Sequence, residues 1–323
     1  MTLGTLKGYN ICMSGIFIFN PESGKGKIVK HKEYIVSQLA SVYGDIDLAP
    51  TTHSGHATEL AADACGKYDY IFVAGGDGTL NEVVNGIADK DNKPTIGYIP
   101  TGTVNDVAHS LGISKNVKKA VNELVKGKIF AHDIFKVNQH YGIYVCCAGL
   151  FTVASFDTKR TAKKHFGKIA YFFRGVKDLF KAKPIHISLE TENKTIKKDV
   201  ALMPVLNSRS TAGFMLNRKA ALDDGVVEVI LVHSHKNRIG FSDVLRCANL
   251  FLFGVKANKN NKKITYFKTD KFKLSTDGGL TINLDGEKCG EGAFEFSVMK
   301  QGVNIIIPQK SYEKLTKLKD KHE

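Results

Sequence analysis

The chain has 323 residues, 43% of them hydrophobic, with 46 Lys+Arg against 32 Asp+Glu and a formal charge of +14 at pH 7. That length accommodates two domains and a sizeable core, and the hydrophobic share excludes a disordered chain. The basic excess favours an anionic partner, whether nucleic acid, acidic lipid or polyphosphate, and no apolar run is long enough for a membrane span.

In chain order, Met13 sits just before the first strand, Ile16–Phe19, so a start there would leave the fold intact and the first dozen residues are expected to be dispensable. Val29–Val42 has helical spacing, Ile46–Leu48 is a short strand and His56–Cys65 a helix. Tyr70–Ala74 is a strand, Leu80–Ala88 a helix, Thr95–Ile99 a strand and Val104–Leu111 a short helix. This alternation predicts an α/β domain with a doubly wound parallel sheet. Polar turns follow each strand: Asn20-Pro21-Glu22-Ser23-Gly24-Lys25-Gly26, then Thr51-Thr52, then Gly75-Gly76-Asp77-Gly78-Thr79-Leu80-Asn81-Glu82, then Pro100-Thr101-Gly102-Thr103-Val104-Asn105-Asp106. In an open parallel sheet these carboxyl ends share one edge, where ligands bind. Glycine lets a backbone approach phosphate closely, and a helix start offers N–H groups to it. Asp77 adds a carboxylate that bare phosphate would not want, which suggests a metal ion.

Beyond residue 128 the strands are short and alternating: Ile134–Val137, Tyr141–Cys146, Ile185–Glu190, Val200–Leu206, Val226–Val232, Phe272–Leu274, Leu280–Leu284 and Phe294–Val298. Turns such as Asp223-Asp224-Gly225 and Asp277-Gly278-Gly279 separate them, as in a mostly antiparallel domain. Val303–Ile307 reads as a late strand and Ser311–Glu323 as a basic amphipathic tail. The expected division is 1–127 for an α/β nucleotide domain, 128–308 for a second, β-rich domain, and 309–323 returning to the first domain. Six cysteines (12, 65, 146, 147, 247 and 289) lack C-x-x-C spacing, so reduced thiols fit better than disulfides or zinc. His53 and His56 have no companion ligand pair.

There is no G-x-x-x-x-G-K-[ST], no G-x-G-x-x-G at a strand–helix junction and no protein-kinase catalytic loop. The three glycine-bearing turns instead resemble those of the bacterial diacylglycerol kinases and the wider diacylglycerol, sphingosine and ceramide lipid-kinase family. The likeness continues through Ala212-Gly213-Phe214, Leu222-Asp223-Asp224-Gly225 and Leu284-Asp285-Gly286-Glu287, nearly the whole chain. NAD kinases share the GGDGT element alone.

The resemblance implies an NAD kinase-like nucleotide domain, a C-terminal β-sandwich and an active site between them. It implies ATP at Asn20, Pro21, Glu22, Ser23, Gly24, Thr51, Gly76, Asp77, Gly78, Thr79, Leu80, Asn81, Glu82 and Thr103, with Asp285 as proton acceptor. It also implies structural Mg²⁺ at Asp224 with backbone oxygens of Ala221 and Val226. Asp77 and Asp106 are candidates for catalytic Mg²⁺, directly or through water, with turn and helix-start roles as the alternatives. Asn81 and Glu82 could equally brace the loop or cap a helix, and Asp285-Gly286 also matches a plain hairpin turn. Val107, His109 and Thr101 depart from the family pattern, where Phe, Arg and an apolar residue are usual.

A diacylglycerol kinase reading implies a lipid substrate at an anionic membrane surface, peripheral attachment to the inner membrane face from the cytoplasm, no nucleic acid, and room for a homodimer. Other readings are a sphingoid-base kinase, a soluble NAD kinase-like enzyme or a nucleic-acid binder, the last disfavoured by dispersed charge. Two segments combine basic and apolar residues suited to a bilayer. One runs from Lys159 through Ile169–Phe173 to Lys183, and the other is Leu250-Phe251-Leu252-Phe253 with Lys256, Lys259, Lys262 and Lys263.

Overall fold

The computed structural model describes residues 13–150, 183–234, 238–258, 260–276 and 281–319. The first dozen residues, the Asp277-Gly278-Gly279 turn, Lys259 and all of the Lys159–Lys183 segment except Lys183 lie outside the described residues.

The first half alternates as its periodicity requires: β1 (Ser14–Phe19), α1 (Lys27–Tyr43), β2 (Asp45–Pro50), α2 (His56–Ala64), β3 (Tyr70–Gly75), α3 (Asp77–Ile87), β4 (Thr95–Pro100), α4 (Asp106–Leu111) and α5 (Val117–Leu124). The strands lie in the order β2-β1-β3-β4, all parallel. β1 and β3 are apolar along nearly their whole length because helices cover both faces. Helix α5, absent from the predicted elements, carries a local start signal: the Asn116 side chain accepts the Lys119 N–H at 3.0 Å, and Val117, Ala120, Val121 and Leu124 are buried.

The second half is antiparallel: β5 (Lys128–Val137), β6 (His140–Gly142), β7 (Val145–Gly149), β8 (Ile185–Glu190), β9 (Thr195–Leu206), β10 (Val227–His233), β11 (Ile264–Thr269), β12 (Lys271–Thr276), β13 (Thr281–Leu284), β14 (Glu287–Glu291) and β15 (Phe294–Ile307). Helix α6 (Phe241–Asn258) lies between β10 and β11, and α7 (Gln309–Lys319) follows β15. Phe135, Phe272 and Phe296 stack in the core of this half, with centroids 4.9 and 4.6 Å apart.

Two differences from the predicted elements matter for the site. The single strand expected over Tyr141–Cys146 is two, β6 and β7, broken at Ile143-Tyr144. The two strands expected at Phe294–Val298 and Val303–Ile307 are one, β15, which carries an irregularity between Met299 and Val303. Asp133 holds that irregularity by accepting the Gln301 N–H at 2.6 Å. The early part of β15 pairs with β12, and Ile305 and Ile306 pair in parallel with β4, so one strand belongs to both halves. Leu315 of α7 is buried in the larger hydrophobic core, which includes the parallel sheet.

Candidate active site

Register places the nucleotide-type turns side by side. Phe19 is level with both Pro50 and Ala74, and Gly75 with Pro100, so Asn20, Thr51, Gly76 and Thr101 leave one edge of the sheet together. The Asn20 carboxamide accepts the Glu22 N–H at 2.9 Å and shapes the first turn. Ser23 and Thr101 share a hydroxyl hydrogen bond of 2.7 Å that ties the first turn to the fourth. The Thr51 N–H donates to the Phe19 carbonyl at 2.9 Å, and the Thr101 N–H to the Gly75 carbonyl at 2.8 Å.

The glycines divide by what surrounds them. A Cβ on Gly75 would stand 2.5 Å from the Thr79 side chain, and one on Gly102 would stand 2.6 Å from the Gly76 Cα. Both are therefore glycine because protein occupies the space. At Gly78, in the exposed first turn of α3, a Cβ would meet nothing within 4 Å, and no positive φ demands glycine. A glycine there costs helix stability without any return inside the protein. The space it keeps open fits a ligand approaching the helix start.

Helix α3 begins at Asp77, three residues earlier than its apolar spacing suggests. Asp77, Gly78 and Thr79 therefore form its first turn. The Asp77 carboxylate accepts the Asp106 and Val107 N–H groups at 3.0 and 3.2 Å, capping α4 from a distance. Burial pushes Asp77 up to about 6, with the Asp106 charge adding and those N–H groups opposing. Asp106 is buried and accepts the Ser210 hydroxyl at 2.7 Å and the Gly213 N–H at 2.9 Å. It thereby joins this edge of the parallel sheet to the Ala212-Gly213-Phe214 loop.

Two adjacent carboxylates with no ion pair among the described residues suit a hard cation. No cluster of three metal-ligating side chains occurs among the described residues, so water or phosphate oxygens would have to complete the shell, as Mg²⁺ prefers. Asp224 differs. It pairs with the Lys268 ammonium at 2.8 Å and accepts the Val226 N–H at 3.4 Å, so its charge already has an internal cation. Glu228 lies 3.8 Å from the same ammonium.

The remaining nucleotide candidates separate. Gly76 is the extended residue before α3, and Pro21, Gly24 and Thr103 lie at the same edge. Leu80 is fully buried in the core. Glu82 accepts the Ala57 N–H at 3.2 Å and so braces the start of α2. Asn81 points to the other lobe.

There the β13–β14 hairpin turns through Asp285 and Gly286, with φ values of 50° and 98° and Leu284 level with Glu287. This is the geometry of a type I′ turn, which Asp-Gly favours. The Asp285 carboxylate is nevertheless buried, so the turn and the buried acid are one feature. The break between β6 and β7 aims three N–H groups at it: Ile143 at 2.6 Å, Tyr144 at 3.1 Å and Val145 at 2.9 Å. The Asn81 amide donates a fourth hydrogen bond at 2.8 Å. Burial pushes Asp285 up to about 7 despite these four donors, each of which favours the anion.

Residues that sequence reasoning missed hold this contact in place. Asn85, one helical turn after Asn81, donates to the Tyr141 carbonyl and accepts the Tyr141 N–H, both at 2.9 Å. The spacing of Asn81 and Asn85 was a legible sign of a shared polar face. Asn207 donates to the Asp133 and Ile143 carbonyls at 2.7 and 2.9 Å and steadies the strand break. No local pattern flagged it.

Residues 14–137 match the diacylglycerol kinase catalytic domain family, and residues 145–307 match the YegS C-terminal NAD kinase beta sandwich-like domain. The two lobes thus form the two-domain architecture of NAD kinase-like folds. A diacylglycerol kinase of Bacillus subtilis (strain 168) is 31% identical over 301 residues, 92% of this chain and 97% of that protein. One from Staphylococcus saprophyticus is 31% identical over 293 residues, 90% of this chain and 94% of that protein. The crystal structure of a diacylglycerol kinase from Bacillus anthracis has the same fold, with a TM-score of 0.74 and 21% identity over 92% of this chain and 98% of that one. This chain belongs to the diacylglycerol kinase family.

Proposed function

We propose that this chain transfers the γ-phosphate of ATP to the free hydroxyl of diacylglycerol, giving phosphatidate at an anionic membrane surface. The observation that carries the reading is the 2.8 Å contact between Asn81, on the helix that opens from the glycine turn, and Asp285, on the other lobe. It brings a proton acceptor next to the helix start where phosphate would lie.

In this reading the turns after β1 to β4 hold the nucleotide through Asn20, Pro21, Glu22, Ser23, Gly24, Thr51, Gly76, Gly78, Thr79 and Thr103. Backbone N–H groups at the start of α3 receive phosphate oxygens. Asp77 and Asp106 would hold Mg²⁺, which would supply neutralisation of the phosphate charge there. The pair at Asp224 and Lys268 acts in folding of the second lobe and takes no part in transfer.

Asp285 accepts the hydroxyl proton as the oxygen attacks the γ-phosphorus and the bond to the β-phosphate oxygen breaks. An acid titrating near 7 is mostly ionised in mildly alkaline conditions, yet basic enough to take a proton in the transition state. Asn81 occupies the lone pair that the acceptor hydroxyl would use, so substrate entry displaces the one donor that comes from the opposite lobe.

The test is transfer from labelled ATP to a panel of diacylglycerol, sphingosine, ceramide and NAD, with and without Mg²⁺. Labelled phosphatidate formed only with Mg²⁺ is the expected result. Transfer to sphingosine or NAD and none to diacylglycerol would replace the substrate, and no transfer to any acceptor would overturn the kinase reading.

A further inference from the structure

Helix α6 is apolar on two faces. Its inner side, Val244, Cys247 and Leu250, packs in the core. Its outer side carries Phe241, Leu245, Leu252 and Phe253, exposed at 71, 50, 64 and 67%. Phe241, Leu245 and Leu252 are four and seven residues apart and form one stripe, with Phe253 at its edge. These are four of the nine large hydrophobic side chains found exposed among the described residues, and all four sit on one helix. An apolar cluster of this kind marks an interaction surface, whereas scattered single residues do not.

The stripe ends at a fixed corner. Gly254 adopts φ 75° and ψ −179° and breaks the helix, and a Cβ there would lie 2.6 Å from the Leu216 carbonyl. Beyond the corner, Lys256, Lys262 and Lys263 are exposed, while Arg246, farther back, is engaged by buried Asp243. Apolar residues that end in lysines match the two zones of an anionic bilayer, acyl chains beneath phosphate headgroups.

The helix is also physically joined to the site. Phe251 packs edge-on against Phe214 with centroids 5.9 Å apart, and the Val255 N–H donates to the Leu216 carbonyl at 2.8 Å. Both partners belong to the loop whose Ser210 and Gly213 bond Asp106.

We infer that the outer face of α6 docks on an anionic phospholipid bilayer, with Phe241, Leu245, Leu252 and Phe253 in the acyl boundary and Lys256, Lys262 and Lys263 at the phosphates. The inference rests on the lipid-kinase reading for its choice of partner. No helix among the described residues is long and apolar enough to cross a membrane, so the contact is interfacial.

The test measures vesicle flotation without ATP, using phosphatidylcholine alone or mixed with an equal part of phosphatidylglycerol. The wild-type chain is compared with Leu252→Ser/Phe253→Ser and with Lys262→Glu/Lys263→Glu. The expected result is wild-type binding to the mixed vesicles and a loss of about tenfold or more in each double variant. Melting temperature and turnover of a monomeric short-chain diacylglycerol should be unchanged.

Equal flotation of all three proteins would overturn the docking face. So would a wild-type dimer that the serine variant dissolves, because the face would then bind a second copy. A large fall in melting temperature would show that the rest of the chain covers it. Failure of the wild-type chain to phosphorylate the short-chain substrate strikes the kinase reading alone, since flotation is read without catalysis.

Discussion

The glycine-turn edge of the parallel sheet and the Asp285 hairpin meet through one side-chain contact, yet they are made differently. The edge is a backbone structure. Its parts come from four turns in one parallel register, and their glycines allow the chain to pack against itself at Gly102 and to leave space at Gly78. The hairpin is an electrostatic structure. A single buried carboxylate is held by donors 140 to 142 residues earlier and by Asn81, 204 residues away. Geometry at the edge is set by excluded volume, and proton affinity at the hairpin by the balance of burial and donors.

The sharpest way to break this contrast is Asp285→Asn. Phosphoryl transfer should fall about 10²–10⁴-fold while ATP affinity measured by calorimetry stays near wild type. Equal turnover by the variant would remove Asp285 as the base.

Two alanine substitutions then divide the edge. Gly102→Ala should destabilise the fold by about 1–3 kcal/mol in denaturant melts, because the two turns must separate. Gly78→Ala should leave stability unchanged or raise it by up to about 1 kcal/mol, yet weaken ATP binding. If both lost stability alike, the open space at Gly78 would not be reserved for ligand.

The smallest effect concerns Asn81. Asn81→Ala removes a donor that favours the Asp285 anion, so the acid limb of the pH–rate profile, expected near 7, should move to higher pH with about a tenfold loss of rate. Stability follows the opposite course. The folded acid titrates at about 7 against an ordinary value of 3.8, so the native state holds its proton longer than the unfolded chain does. That contribution to stability is present at low pH and is lost as pH rises from about 4 to about 7. Melting curves of wild type and Asp285→Asn across that window should converge at the acid end. An acid limb unmoved in Asn81→Ala would show that the amide only braces the lobes.

Much of the edge was legible because its chemistry is local. A strand, a glycine turn and a helix start occupy a dozen consecutive residues, and alternation implied that all such turns share one end of the sheet. Asp285 was legible as an acid following a strand, but its burial was not, because that depends on the break at Ile143-Tyr144 on a distant strand. The bonds by which the Asp77 and Glu82 carboxylates also cap α4 and brace α2 were not legible, because only tertiary structure creates those pairings. Asn207 and Ser210 stayed hidden for the same reason. The Leu250–Phe253 part of α6 was legible as an apolar run beside lysines, but Phe241 and Leu245 were not joined to it, because a helix apolar on two faces lacks the amphipathic period that identifies a surface helix.

The shared strand β15 has a consequence for synthesis. On the ribosome, β4 emerges with one flank bare, and Ile305 and Ile306 cover it only after some 200 further residues have been added. At about 5–20 residues per second the wait is on the order of ten seconds or more. During that interval the half-made protein carries an open strand edge of the kind that recruits other chains, so the nascent chain stays exposed to aggregation until β15 arrives.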